Sequence, residues 1–169
     1  MNTDEFFIRQ AIEESRKSIS QNGDPFGALL VKDNKAVASS GDYCVVESDP
    51  TRHAELNLIS QYCHTNKIFS LEGYTLYSNV EPCIMCAGAI HWSRISRVVF
   101  SVSQSQLKTM SSGNPKPSCK ELLSYGREDV EVIGPILSEE AMHVLSQFSF
   151  SPKLKRHNQL YPNDEISSL

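Results

Sequence analysis

No stretch of this 169-residue chain carries enough consecutive apolar residues to cross a membrane. Runs such as Gly27-Ala28-Leu29-Leu30-Val31 fall far short of the roughly 20 residues that a span needs. The start, Met1-Asn2-Thr3-Asp4-Glu5, lacks the basic segment and apolar core of an export signal, so the expected location is cytoplasmic. An excess of basic charge is also missing: 16 Lys and Arg stand against 20 Asp and Glu, a net charge of -4. That balance disfavours, without excluding, a large nucleic-acid footprint, which needs a concentrated basic surface. Arg94 and Arg97 lie close together, and Lys153, Lys155, Arg156 and His157 cluster near the end; short runs of this kind read as solvated surface charge. The five cysteines, at 44, 63, 83, 86 and 119, are odd in number and do not form a disulfide framework. Cys44, Cys63 and Cys119 read as small buried hydrophobes, whereas Cys83 and Cys86 form a Cys-x-x-Cys pair, either a metal site or a redox motif.

What is present suits one soluble domain. A hydrophobic fraction of 40% and a charged fraction of 21% are ordinary for a globular chain of this size. Residues 1–150 are expected to form a single domain and 151–169 a tail. Phe7, Ile8, Ala11, Ile12, Ser15 and Ile19 mark one face of a helix over residues 4–20, ended by Asn22-Gly23-Asp24-Pro25. Residues 28–31 and 36–38, around Asp33-Asn34-Lys35, read as a β-hairpin. Helices are expected from His53 to about Tyr62 and from Pro82 to Trp92, with strands at 74–77 and 98–100. Residues 101–118 read as a long polar loop. A short helix at 120–125, a strand at 130–133 and a helix at 138–148 follow. The alternation implies a sheet layered with helices, an α/β sandwich.

The chemistry concentrates in His53-Ala54-Glu55 and Glu81-Pro82-Cys83-Ile84-Met85-Cys86, each at the N-terminus of an expected helix. One imidazole and two thiolates suit tetrahedral zinc. Three protein ligands leave a fourth position for water, as a catalytic site requires. Cys83 and Cys86, three apart on a helix, share a face, and a helix N-terminus favours their thiolate forms. Glu55, two positions from His53, can face the water rather than the ion and act as base and then acid. A structural zinc site would need a fourth ligand, with His64, His91 and Cys63 available by type, and would leave Glu55 without a task. A redox pair would more commonly follow a first strand near the N-terminus. A metal-free binding homologue would not need all four groups.

His-x-Glu with Pro-Cys-x-x-Cys is the signature of zinc deaminases. Pro25-Phe26-Gly27-Ala28, Asp49 through Glu55 and Glu81 through Ser93 together resemble the cytidine deaminase-like superfamily. Within it they resemble the guanine deaminase and tRNA-adenosine deaminase branch. The resemblance implies a three-layer α/β/α sandwich around a five-stranded mixed sheet, one Zn2+ per chain held by His53, Cys83 and Cys86, Glu55 as proton carrier, and a homodimer. It also implies that Phe26, the residue at position 42, the Ala54 amide and Trp92 meet the substrate. Trp92 could equally pack in the core or a dimer interface, and core packing is the expectation for Phe148 and Phe150. Position 42 is usually asparagine in that branch; Asp42 offers only acceptors when ionised, which suits a ring presenting N–H groups. The expected activity is zinc-dependent hydrolysis of the amino group of a nucleobase or nucleoside, first a guanine-like purine. The segment after Phe100 resembles a nucleoside deaminase-like group. A tRNA wobble-adenosine deaminase is the alternative, although Ser101-Val102-Ser103-Gln104 lacks the charged character of the loop those enzymes carry.

Overall fold

A computed structural model describes residues 3–110, 116–126 and 129–162. Helix α1 (Thr3–Ser20) buries Phe7, Ile8, Ala11, Ile12 and Ser15 of the expected face, with Ile19 half-buried and Ser18 and Glu14 buried beside it, and carries Asp4 and Glu5 where the helix dipole favours acids. Strands β1 (Asp24–Lys32) and β2 (Lys35–Asp42) form the hairpin. Asp33 and Asn34 both have positive φ, as a two-residue type I′ turn requires. The rest of the frame is α2 (Ala54–Asn66), β3 (Thr75–Val80), α3 (Ile84–Ser93), β4 (Arg97–Val102), α4 (Gln104–Lys108), α5 (Cys119–Ser124), β5 (Glu131–Ile133), α6 (Ser138–Ser146) and α7 (Lys153–Leu160).

The sheet order is β2-β1-β3-β4-β5, with β1 antiparallel to both neighbours and β3, β4 and β5 parallel. The mixed five-stranded sheet and its two helical layers are those expected. Helices α1 and α6 cover one face around Ile8, Leu29, Val99 and Leu145. The other face packs Leu30, Leu58, Leu76, Ile90 and Val98 beneath α2, α3 and α5. Covered on both sides, β1 and β3 are buried almost throughout, while the outer half of β2, at the sheet edge, is exposed.

Two segments depart from the sequence reading. Residues 104–108, within the expected loop, form α4, opened by a capping box in which the Ser103 hydroxyl and the Gln106 side chain serve each other's backbone N–H. Residues 111–115 of that loop lie outside the described residues. The expected tail contains α7, its N-terminal end packed against the strand ends; residues 163–169 lie outside the description. No described helix is long and apolar enough to cross a membrane.

The close packing of α1 has two visible supports. A Cβ at Gly27 would lie 2.4 Å from the Ser15 backbone nitrogen, so only glycine lets the helix approach β1 this closely. At the helix start, Arg97 donates to both Asp4 oxygens at 2.8 Å, and the Tyr77 hydroxyl adds a bond at 2.7 Å. The Arg97 hydrogen bonds hold the Asp4 carboxyl below the usual carboxylate range against the penalty of burial. Asp4→Ala is expected to lower stability by about 1–3 kcal/mol, since it strands a guanidinium hydrogen-bonded across two elements. The urea unfolding midpoint reads this; an unchanged midpoint would show that the clamp contributes nothing.

Candidate active site

The chain leaves β3 at Val80 and enters α3 through Glu81-Pro82-Cys83. Cys83 is the N-cap of α3, with extended backbone, and Cys86 lies in its first turn. His53 is the N-cap of α2, again extended, followed by Ala54 and Glu55 in its first turn. His53 makes no capping hydrogen bond to its own helix, and it meets the Cys83 and Cys86 thiols in the space between the two helix ends. Asp49 prepares the approach by accepting from the Thr51 backbone and hydroxyl at 2.8 and 2.6 Å.

His53 Nδ1 lies 3.5 Å from Cys83 Sγ and 3.9 Å from Cys86 Sγ. On tetrahedral zinc, with bonds of about 2.3 Å to sulfur and 2.0–2.1 Å to nitrogen, such ligands stand about 3.6 Å apart. The donor set therefore fits zinc by both chemistry and spacing. His64 is exposed, and among the described residues neither it, His91 nor Cys63 joins this cluster, which leaves three ligands and no knuckle.

Electrostatics agree. Hydrogen bonding from Cys86, aided by His53, pushes the Cys83 thiol down to about 3 despite burial. The same contact and burial push Cys86 up. Burial lowers His53, but hydrogen bonds to Cys44 and Cys83 outweigh it and bring the imidazole to about 10. Glu55 is only 7% exposed; it accepts from Ser78 Oγ at 3.0 Å and from Cys86 Sγ at 3.4 Å. Burial, followed by the negative charge of Cys83, raises its pKa, the direction a proton carrier near neutral pH needs.

These groups open into a cavity of about 220 Å³ lined by Phe26, Asp42, Val80, Leu107 and Phe150 as well as the site residues. Asn79 fixes Phe26 by accepting from the Gly27 N–H at 2.8 Å and donating to the Pro25 carbonyl at 2.9 Å. Glu81 accepts from the backbone N–H of Gln104 and of Cys119, both at 2.8 Å, and so ties α4 and α5 to the cysteine turn. Neither role is readable from sequence, because the partners come from distant elements.

Several expectations change here. Trp92 is 75% exposed, edge-on to His91, and does not line the cavity, so it forms no pocket wall within the chain. The Ala54 side chain is buried in the core, so only its backbone can face the site. Phe150 packs against the core as expected and also lines the cavity, with its ring centre 6.4 Å from that of Phe26. The largest correction concerns charge. Lys153 Nζ lies 3.0 and 2.8 Å from the two Asp42 oxygens and 3.2 Å from Asp24, while Arg156 donates to both Asp24 oxygens. Lys153 and Arg156 are therefore not free surface charge, whereas Lys155 is exposed as expected, and Asp42 is not an open acceptor. Arg97 is likewise paired, with Asp4 and Glu131.

Residues 1–102 match the cytidine and deoxycytidylate deaminase zinc-binding region, and the chain belongs to that family. It is 35% identical over 141 residues to a probable cytosine deaminase of Schizosaccharomyces pombe, covering 80% of this chain and 86% of that one. It is 33% identical over 154 residues to a tRNA-specific adenosine deaminase of Bacillus subtilis, covering 88% and 89%. A solved structure of a tRNA:A34 deaminase, which performs A-to-I editing at the wobble position, superposes with a TM-score of 0.71 and 28% identity over 83% of this chain and 99% of that one. The chain is thus a zinc-dependent hydrolytic deaminase of the cytidine deaminase-like superfamily.

Two outcomes test the site. Cys83→Ala should lose the stoichiometric zinc of about one ion per chain that three ligands hold. Glu55→Gln should keep the metal and lose roughly 10²–10⁴-fold in turnover; retention of both zinc and activity by either variant would refute its assignment. A third concerns α7. Burial opposes ionisation of Asp24, but Arg156 and Lys153 outweigh it and depress its pKa. A depressed acid stabilises the docked helix fully above its unfolded value of about 3.9 and loses that contribution as pH falls through the lower folded value. Amide exchange in residues 153–160 should therefore accelerate below about pH 4, ahead of exchange in β1 and β3; simultaneous loss would contradict this.

Proposed function

We propose that the chain hydrolyses the exocyclic amino group of a free nucleobase, a guanine-like purine or cytosine, and releases ammonia. The observation that carries this reading is the size of the cavity, together with the C-terminal segment on its wall. At about 220 Å³ it is smaller than the roughly 300–1,000 Å³ of pockets for larger ligands. Phe150, Lys153 and Arg156 from the C-terminal segment form part of its wall. Phe26 and Phe150 offer apolar ring surfaces to a base. A nucleotide within a tRNA would have to enter past α7, where Lys153 and Arg156 are engaged by Asp24 and Asp42, which leaves Lys116 as the exposed cation on the cavity wall.

Zinc held by His53, Cys83 and Cys86 supplies the Lewis-acid polarisation that makes water nucleophilic near neutral pH. Glu55 accepts the proton of that water and delivers it to the ring nitrogen beside the attacked carbon. It then moves a second proton to the departing amino group, so that water and the amino ring become the oxo ring and ammonia. Ser78 and the helix end hold the carboxyl in place for both transfers. Ala54, the first residue of α2, has a backbone N–H with no partner within the helix, available to the ring edge away from the water.

The test is ammonia release from guanine, adenine, cytosine, their nucleosides and amino-triazines, with a tRNA anticodon stem-loop alongside. Turnover of a free base, with a kcat/KM at least about tenfold above that for its nucleoside, is expected from the small cavity. Conversion of adenosine in the stem-loop with no free base consumed would overturn the reading.

A further inference from the structure

Asp24 and Asp42 face each other in register on β1 and β2, at 3% and 1% exposure. Two carboxylates so placed repel unless cations reach them, and both cations come from one helix: Lys153 and Arg156, three apart on α7. The duties differ. Arg156 spends its fork on Asp24 and lends another N–H to the Ser151 carbonyl at 3.2 Å. Asp42 accepts from the Cys44 N–H on Oδ1 at 3.1 Å and from Lys153 on both oxygens, so most of its acceptor capacity is taken before a ring N–H arrives.

Lys153 is placed otherwise. Its ammonium lines the cavity, 6.0 Å from the centre of the Phe26 ring. A carboxylate oxygen of Asp42 lies within 4.8 Å of a His53 ring nitrogen, so this cation stands one side chain away from the metal ligands. An ammonium carries three N–H donors and no acceptor. Three carboxylate oxygens lie within 3.2 Å of the Lys153 ammonium, two of them on Asp42; when one N–H serves the Asp42 pair and one serves Asp24, the third turns to a ring in the cavity. Burial opposes its charge, but Asp42 and Asp24 outweigh that and keep it protonated.

We propose that Lys153 determines specificity in this pocket: its ammonium, held by Asp42 and Asp24, donates to an oxo group on the bound ring, so the site selects oxo-bearing amino rings over amino rings that lack the oxo group. The assignment rests on the free-base reading above and reverses what Asp42 alone suggests, since the wall offers a donor where the isolated acid would offer an acceptor.

Matched pairs test it: cytosine against 4-aminopyrimidine, and guanine against 2-aminopurine, each pair differing by one oxo group. The quantity read is the ratio of kcat/KM within a pair, compared between wild type and variant, which cancels the intrinsic reactivity of each ring. A hydrogen bond to a charged donor corresponds to a change of about 10–100-fold in that ratio for Lys153→Met, expressed mainly in KM for the oxo ring, with zinc content unchanged. Lys153→Arg should keep most of the wild-type ratio. Arg156→Gln loosens α7 while leaving the ammonium and should lower both members of a pair alike. A Lys153→Met enzyme that retains the wild-type ratio, or loses activity equally on both members, overturns the assignment to Lys153. A wild-type enzyme inert toward all four rings overturns the free-base reading instead.

Discussion

The site depends on a spacing that one ion imposes: a nitrogen and two sulfurs must approach to within about 3.6–3.9 Å, although they come from residues thirty positions apart. Only the convergence of two helix N-termini achieves this without loops of uncertain geometry. The sheet order makes that convergence possible. Because β3 lies between β1 and β4, the chain leaving β3 at Val80 emerges beside the start of β1 and the end of β2. Helices α2 and α3 then pack side by side on one face with their first turns at the same strand ends. Two helix dipoles also point their positive ends at the same place, which favours thiolate at Cys83 and ionised carboxyl at Glu55. Burial opposes both, and the balance leaves the thiol low and the carboxyl high, as a ligand and a proton carrier respectively require.

Local signals were enough for the frame. The i, i+3, i+4 stripe of α1, the Asp33-Asn34 turn and the short motif spacings are all encoded within a few residues of where they act, and each is found where expected. Readings that required knowledge of partners fell short. Phe150 follows a helix and looks like any core aromatic; its place on the cavity follows from where α6 ends relative to β1. Helix α4 is five residues long, too short for periodicity, and only its capping box marks it. Trp92 sits on the outer face of a helix whose inner face carries Cys86, Ala87 and Ile90, and a helix of small and apolar residues gives little indication of which side is which.

The C-terminal cluster shows why charge counts mislead at sites. Lys153, Lys155, Arg156 and His157 read as solvated surface because a run of charge has no local reason to be buried. The reason is distant: two acids on β1 and β2 that would otherwise stand buried and unpaired. Removing one partner from such a group leaves an uncompensated charge at a cost of about 3–5 kcal/mol, whereas replacing both members by neutral groups of similar size is often nearly neutral. Asp42 and Lys153 therefore act as one unit, and so do Asp24 and Arg156. A neutral residue at position 42 would leave the Lys153 ammonium less firmly placed, and a neutral residue at 153 would leave the Asp42 carboxylate facing a dry cavity. Loss of charge at either position is therefore tolerated best when the other loses its charge too. The chemistry common to the family is thus fixed by the two motifs, while the face shown to the ring is set by a strand-end acid and a helix more than a hundred residues further along the chain.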